Sequence, residues 1–487
     1  MLKLSLMGKM SKLDWDKLLC DKRIRKSKKN EDKPVIENEF VTRNEFEADY
    51  DRIVGSSSVR RLQDKAQVFP LQKNDVVRTR LTHSMEVSAL ARSMAKTVGM
   101  HLEQEGIFDR EKTEKLMGML QTAGLIHDLG NPPFGHYGET AIRNWYKDRV
   151  LKEKESKASK TSDFRLSQED KDFCYFDGNV QNLRIVTKLQ TMNDAYGANF
   201  TYGTLASIIK YPYSSISETN PKKDKIGYFK SEENIVKLIW EHTGLEEGVR
   251  HPATFLLEAA DDIIYICDDI EDGVKKGYVP WRKEYNKIRR MFQNMNGYRA
   301  LFTHINSNTP AKKLGERERE IAQARVFRNY VQGYLMQVAV ENFLKNYNSI
   351  MNGRYGLKNL LESEEKFVEA LQEITRKYCF GCDEVLTLEI VGERTIKELL
   401  NIFYDAIKTD DIKKLKKTKD YEGKIYQLIS DNYKYIATFD YNTQKNVDIE
   451  KISEVDKLHL IVDFISGMTD SYAVSLYKKL LGISLPE

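Results

Sequence analysis

The chain has 487 residues, of which 41% are hydrophobic and 31% are charged, and its formal net charge is +4. These values are typical of a globular protein with a substantial core, built from two or three average domains or from one large helical unit. They argue against a dedicated nucleic-acid binder, which carries a concentrated positive field, and no apolar run approaches the roughly 18 residues of a membrane span.

The amino terminus lacks the apolar segment of a secretory signal peptide, so we expect a cytoplasmic protein. Five cysteines are scattered along the chain. Cys379 and Cys382 form a lone CxxC pair, which we interpret as reduced packing residues rather than as a zinc site.

Apolar residues recur at intervals of three and four from residue 46 onward, which is the spacing of an amphipathic helix. This periodicity predicts helices over residues 46–53, 81–94, 116–126 and 255–270. Strand-like alternation is scarce, so the predicted fold class is mainly α, with at most a small β-hairpin. Lys-rich polar stretches are predicted as surface loops at about residues 147–172, 217–225, 305–316 and 409–423.

Two histidine motifs lie about forty residues apart: Arg78-Thr-Arg-Leu-Thr-His83 and His127-Asp128-Leu-Gly-Asn-Pro-Pro-Phe-Gly-His136. His83 falls within one predicted helix, and His127 and Asp128 end another, since the following prolines disfavour helical backbone before them. Imidazole and carboxylate groups bind divalent metal ions. The spacing therefore indicates a metal site assembled from separate segments.

A fourth candidate ligand lies in the acidic helix predicted over residues 255–270. Asp261 and Asp262 follow an apolar run, so burying them requires a partner. Asp261, Tyr265 and Asp269 share one helical face, which favours Asp261 as the ligand. Two imidazoles and two carboxylates leave coordination positions for water and substrate, as metal-assisted hydrolysis requires.

These residues resemble the HD-domain phosphohydrolases, whose metal ligands follow the order His, His-Asp, Asp. Further blocks are similar to the deoxyguanosine triphosphate triphosphohydrolases and span residues 43 to 470: Arg60 to Leu71, Arg78 to Val87, His127 to Glu139, Asp177 to Gln181, Ala260 to Tyr265 and Ile465 to Asp470. The resemblance implies a helical enzyme that cleaves a deoxynucleoside triphosphate to deoxynucleoside and inorganic triphosphate. It also implies one Mn²⁺ or Mg²⁺ ion and a homo-oligomer, often a hexamer.

The resemblance extends to individual side chains. His136 and Glu139 match the catalytic pair, and their spacing lets the carboxylate orient the imidazole for general acid–base work. Arg80, one helical turn before His83, is expected to reach a phosphate. The remaining matches are substrate contacts: Asn179, Lys210 and Tyr211 at polar and phosphate positions, Gln67, Val68, Tyr265 and Asp269 at the deoxyribose and base, and Phe380 and Glu389 at guanine.

The predicted organisation is an N-terminal arm over residues 1–50, an HD core over residues 51–290, and a C-terminal helical region over residues 291–487 that completes the nucleotide pocket. Three other functions stay open: a dNTPase of broad specificity, an HD phosphodiesterase, and a nucleic-acid-binding regulator. The chain has only eight histidines, which favours one metal ion over two. Basic stretches at residues 22–33 and 413–419 are compatible with single-stranded DNA as an effector.

Overall fold

The computed structural model describes residues 12–25, 43–69, 77–158, 165–190, 195–295, 297–309, 314–409 and 411–483. These residues are mainly helical, which confirms the predicted fold class. Within them the regular sheet is a single hairpin, in which Phe439–Asp440 pairs antiparallel with Lys445–Asn446. No helix in these ranges is long and apolar enough to cross a membrane.

The α-helices of the first half run over Trp15–Leu18, Glu45–Val54, Ser57–Arg61, Arg80–Gln104, Arg110–Ile126, His136–Trp145, Lys152–Lys157, Gln168–Cys174, Gly178–Arg184, Tyr202–Ser207, Glu233–Thr243 and Pro252–Lys276. Those of the second half run over Trp281–Phe292, Tyr298–Asn308, Glu316–Lys345, Tyr347–Met351, Glu365–Ile374, Asp383–Ile407, Tyr421–Leu428, Asp431–Thr438, Glu454–Ser466 and Asp470–Leu480. π-Helical segments lie at Tyr146–Leu151, Ile185–Leu189 and Thr375–Phe380. Short 3₁₀ turns lie at Leu62–Asp64, Lys230–Glu232, Glu362–Glu364, Ile412–Lys416 and Ile449–Lys451.

All four predicted helices are confirmed, and three bear directly on the site. We call them the His83 helix (Arg80–Gln104), the His127 helix (Arg110–Ile126) and the Asp261 helix (Pro252–Lys276). Each begins at a side chain that accepts a hydrogen bond from the first turn, namely Thr79, Asp109 and His251. The Asp261 helix also has a proline in its first turn and ends at Gly277 in the left-handed conformation.

The His83 and His127 helices approach each other closely because small residues lie between them. A Cβ atom at Gly124 would lie 2.6 Å from the Ser88 Cα, and one at Gly99 would lie 2.6 Å from the Thr113 side chain. Glycine at these positions brings the backbones together and so brings His83 near the end of the His127 helix. The Asp261 helix packs against both helices and completes the first hydrophobic core.

A second hydrophobic core lies around two further helices, the His136 helix (His136–Trp145) and the Glu389 helix (Asp383–Ile407). These two pack against each other, and the Glu389 helix also packs against Glu454–Ser466 and Asp470–Leu480. The candidate site therefore lies where helices of the two cores meet.

Two parts of the chain differ from the sequence-based expectation. The stretch at residues 147–172 is helical in most of its described part, because Tyr146 and Val150 are buried in the second core and the Lys-rich residues cover its outer side; the loop prediction is wrong there. Within the predicted N-terminal arm, Trp15 and Leu18 are buried in the first core. The domain boundaries themselves stay a prediction.

Candidate active site

A cavity of about 520 Å³ opens between the two cores, a size that suits a small-molecule ligand. It receives side chains from the His83, His127, His136 and Asp261 helices. The sequence-predicted residues that line it are Gln67, Arg80, His83, His127, Asp128, His136, Glu139, Asn179, Lys210, Asp261, Tyr265, Asp269 and Phe380. Segments far apart in sequence are thus brought to one place.

The four predicted metal ligands form a tight group in this cavity. One ligand atom from each of His83, His127 and Asp128 lies within 4.8 Å of the others. The Asp261 Oδ1 atom lies 3.1 Å from His83 Nε2 and 3.4 Å from His127 Nε2. The neighbouring Asp262 instead accepts a hydrogen bond from Asn359 at 2.5 Å. Asp261 therefore lies beside both imidazoles, and its role as a ligand stays a prediction.

The His127 ring is oriented for metal binding. Its Nδ1 donates a hydrogen bond to the Gly124 carbonyl at 2.7 Å, which leaves Nε2 free to act as a ligand. That Nε2 atom is buried and has no hydrogen-bond partner among the described residues. A buried nitrogen that lies 3.4 Å from the Asp261 carboxylate and 3.6 Å from the Asp128 carboxylate fits a divalent cation.

The electrostatics of the group also favour a cation. Burial alone would lower the pKa of His127, but the charges of Asp128 and Asp261 raise it to about 9. Burial alone would raise the pKa of Asp128, but His127 and Arg80 lower it to about 2. A site that stabilises a proton this strongly has a negative potential, and a divalent ion competes for the same position.

Asp128 is held by two neighbours. Arg80 donates to its Oδ2 at 2.7 Å, and Asn131 donates to its Oδ1 at 2.6 Å. Arg80, predicted as a phosphate contact, thus also holds a predicted metal ligand. Gly135 has φ +59°, and a Cβ atom there would lie 2.5 Å from Arg80 Nη2, so only glycine leaves room for the guanidinium group.

His136 and Glu139 form the predicted pair at the cavity rim. His136 Nδ1 lies 3.2 Å from Glu139 Oε2, and the hydrogen bond to Glu139 raises the pKa of His136. Glu139 is buried and also accepts from the Gly178 amide at 2.8 Å, whereas the His136 side chain is 83% exposed. The carboxylate is fixed, and the imidazole is exposed where it lines both cavities.

Lys210 and Asn179 also line the cavity. The Lys210 Nζ atom lies 3.3 Å from the Glu258 carboxylate, and the Asn179 amide donates to Asp177 at 2.6 Å. Tyr211 lines no part of the cavity. Its ring is 7% exposed and lies beneath the Arg250 guanidinium group, 5.7 Å from the ring centre.

Val68 and Glu389 line a smaller adjoining cavity of about 60 Å³, which shares Gln67, His136 and Phe380 with the larger one. Burial raises the pKa of Glu389. The Oε1 atoms of Gln67 and Glu389 are buried and have no hydrogen-bond partner in the described part of the chain. Two unpaired acceptors in one small cavity indicate a ligand that donates hydrogen bonds.

Sequence reasoning missed four residues that line the main cavity: Asn131, Tyr137, Gly178 and Asp262. Asn131 lies three residues beyond Asp128, and this short spacing could have predicted the hydrogen bond between the two side chains. A Cβ atom at Gly178 would lie 2.3 Å from the Asn131 amide oxygen, a long-range constraint that spacing does not reveal.

Comparison with known proteins agrees with this geometry. Residues 80–181 match the HD domain, and residues 413–479 match the phosphohydrolase-associated domain. The chain is 39% identical to a deoxyguanosinetriphosphate triphosphohydrolase-like protein of Listeria monocytogenes, covering 97% of this chain and 100% of the relative. It is 30% identical to the deoxyguanosinetriphosphate triphosphohydrolase of Klebsiella pneumoniae, covering 92% of this chain and 96% of the relative.

Proposed function

Because this chain belongs to the deoxyguanosinetriphosphate triphosphohydrolase family and is a phosphohydrolase with an HD domain, we propose that it cleaves dGTP to deoxyguanosine and inorganic triphosphate. The observation that carries the proposal is the continuity of the site. The metal-ligand group and the His136–Glu139 pair line one cavity. Glu389 lies in the cavity beside it, and its Oε1 atom has no hydrogen-bond partner in the described part of the chain.

In this proposal His83, His127, Asp128 and Asp261 hold one divalent ion, Mn²⁺ or Mg²⁺. When bound, such an ion lowers the pKa of a water molecule and withdraws charge from a phosphoryl oxygen. The donor set of two nitrogens and two oxygens suits an ion of this class. Arg80 keeps Asp128 in place through the 2.7 Å contact.

The remaining chemistry belongs to side chains of the cavity. Water attacks the α-phosphorus, and Arg80 and Lys210 neutralise the charge of the phosphates as charge-assisted donors. His136, whose pKa Glu139 raises, retains a proton for the departing 5′-oxygen. The buried Glu139 carboxylate accepts from Nδ1 and so stabilises the protonated imidazole, whose Nε2 carries the proton for the 5′-oxygen.

Sugar and base selectivity is assigned to residues that line the two cavities. Tyr265 packs against C2′ and excludes a ribose hydroxyl by crowding. Gln67, Val68 and Asp269 contact the sugar and the base, and Phe380 packs against the base plane. Glu389 accepts hydrogen bonds from the N1 and N2 donors of guanine, which its unpaired buried Oε1 atom supports.

The test is a product analysis of the purified protein with Mn²⁺ or Mg²⁺, each of the four dNTPs, and GTP. Triphosphate release with a preference for dGTP over the other dNTPs and GTP is expected. Equal triphosphate release from all four dNTPs would retain the reaction and reject Glu389 as the guanine filter. Absence of triphosphate from every nucleotide would reject the proposal and favour the phosphodiesterase or regulatory function.

A further inference from the structure

The block Ile465 to Asp470, near the carboxyl end, has no role in the site as described so far. Asp470 begins the helix Asp470–Leu480, and its side chain is 1% exposed. Its Oδ1 atom accepts from the Phe134 amide at 2.9 Å, and its Oδ2 atom accepts from the Ala66 amide at 3.0 Å. One carboxylate therefore joins two segments that lie far away in sequence.

Both segments lead directly into the active site. Ala66 precedes Gln67, which lines both cavities. Phe134 precedes Gly135 and His136, so the amide that Asp470 holds lies two residues before the proposed proton donor. These two hydrogen bonds of Asp470, which we call the clamp, thus fix the segment before Gln67 relative to the segment before His136.

The turn before His136 needs such support. Phe134 has φ +63°, a left-handed conformation that is costly for a bulky aromatic residue, and Gly135 follows with φ +59°. Conformations of this kind persist only where the surroundings hold them. The Phe134 ring packs against Gly392 of the Glu389 helix, where a Cβ atom would lie 2.5 Å from Phe134 Cγ. Asp470 secures the backbone of this residue, and the Glu389 helix secures its ring.

A buried lysine lies in the same region, the junction of the Ala66, Phe134 and Asp470 segments. Lys65 is 3% exposed, and its ammonium group donates to the Asn131 carbonyl at 2.5 Å and to the Ser466 carbonyl at 3.2 Å. The Lys65 carbonyl in turn accepts from the Arg80 amide at 2.9 Å. Asn131 and Arg80 are the two residues that hold Asp128. The junction is therefore connected to the metal-ligand group as well as to His136.

We propose that Asp470 is a positioning residue of the active site, whose carboxylate fixes the Phe134–Gly135 turn and the Ala66–Gln67 segment so that His136 and Gln67 face one cavity. It does not touch the substrate. The kinetic test of this inference rests on the proposed function, because it measures triphosphate release. The structural test depends only on the backbone contacts of Asp470.

The test is Asp470→Asn. An amide side chain has one acceptor oxygen, and its NH₂ group faces the second backbone donor, so one of the two bonds is lost and the shape is kept. A misplacement of about 1 Å costs up to about 10²-fold in rate. We expect kcat for triphosphate release to fall by about 10- to 100-fold and KM to rise, with Mn²⁺ affinity as in the wild type.

Ser471→Ala is the matched control. It removes an exposed hydrogen bond from Ser471 to Asp64, 2.8 Å long, which joins the same two parts of the chain but lies outside the cavities. Its kcat and KM should equal those of the wild type. Wild-type kinetics for Asp470→Asn, assayed well below its melting temperature, would overturn the positioning role.

Hydrogen exchange separates this inference from the proposed function. In Asp470→Asn, the amides near Ala66 and Phe134 should lose at least about tenfold in protection, and Ser471→Ala should retain it. Unchanged protection would overturn the inference even if wild-type protein hydrolyses dGTP. Lost protection would support the clamp even if no nucleotide is hydrolysed.

A second variant covers a failure of Asp470→Asn to fold. Asp470→Glu keeps the charge and both acceptors but lengthens the side chain by one methylene group. The same loss of kcat with unchanged Mn²⁺ affinity is expected, and wild-type kinetics in this variant would overturn the inference.

Discussion

His251 couples the stability of the protein to pH through the helix that carries three proposed site residues. It caps the Asp261 helix, since its Nδ1 atom accepts from the Ala253 amide at 3.1 Å, and its Nε2 atom donates to the Leu18 carbonyl at 3.1 Å. Both nitrogens are committed to the neutral imidazole, and the side chain is 1% exposed. Burial lowers the pKa of His251 to about 4.

The direction of the effect follows from proton binding. The unfolded chain has a histidine pKa of about 6.5, so below that pH it binds protons that folded His251 does not. The stabilising contribution is complete above pH 6.5 and is lost as the pH falls toward 4. With these two values, the wild-type protein loses about 2 kcal/mol of its free energy of unfolding through this residue between pH 7.5 and pH 5.

The perturbation is His251→Asn, because asparagine is a good N-cap and does not titrate. Equilibrium urea unfolding at pH 7.5 and pH 5 gives the difference in free energy of unfolding between wild type and variant at each pH. That difference should shrink by about 2 kcal/mol at pH 5, while contributions from other titrating groups cancel. His304→Asn, at an exposed position, controls for the substitution itself. A wild-type-to-variant difference that is the same at both pH values would refute the reasoning.

Three further predictions concern the site. His136→Ala should keep Mn²⁺ binding by calorimetry and lose about 10²- to 10⁴-fold in kcat; normal turnover would remove it from catalysis. Asp128→Asn should lose both Mn²⁺ binding and activity, because the carboxylate has a ligand role and a contact with Arg80; metal retained at wild-type affinity would contradict the ligand assignment. Glu389→Gln should reduce the preference for dGTP over dATP about tenfold in kcat/KM, and an unchanged ratio would place the guanine filter elsewhere.

Local patterns were sufficient to predict much of the fold. The helices around His83 and Asp261 follow from the spacing of apolar residues, but the observed helices Arg80–Gln104 and Pro252–Lys276 extend beyond the predicted ranges 81–94 and 255–270. The structure also brings Asp261 beside His83 and His127, as its helical face predicted. The roles of these side chains stay predictions until they are measured.

Side-chain contacts between segments that are distant in sequence could not be predicted from local residue spacing. Spacing gave Arg80 a phosphate role, but its bond to Asp128 depends on how two helices pack. Tyr211 is adjacent to Lys210 in sequence, yet Arg250 covers it while Lys210 lines the cavity. The helical character of residues 147–158 depends on Tyr146 and Val150 meeting the second core, and Lys-rich composition does not report that burial.

The Asp261 helix also fixes the distance between two proposed site residues. Asp261 and Asp269 lie eight residues apart on one continuous helix, which places them about 12 Å apart along the helix axis at about 1.5 Å per residue. In the proposed roles, Asp261 lies near the reacting phosphorus and Asp269 contacts the sugar and base. Because both residues belong to one helix, the distance between them is fixed. A ligand with a different distance between phosphate and base would therefore lose one of the two contacts. Selection by length is thus built into a single helix.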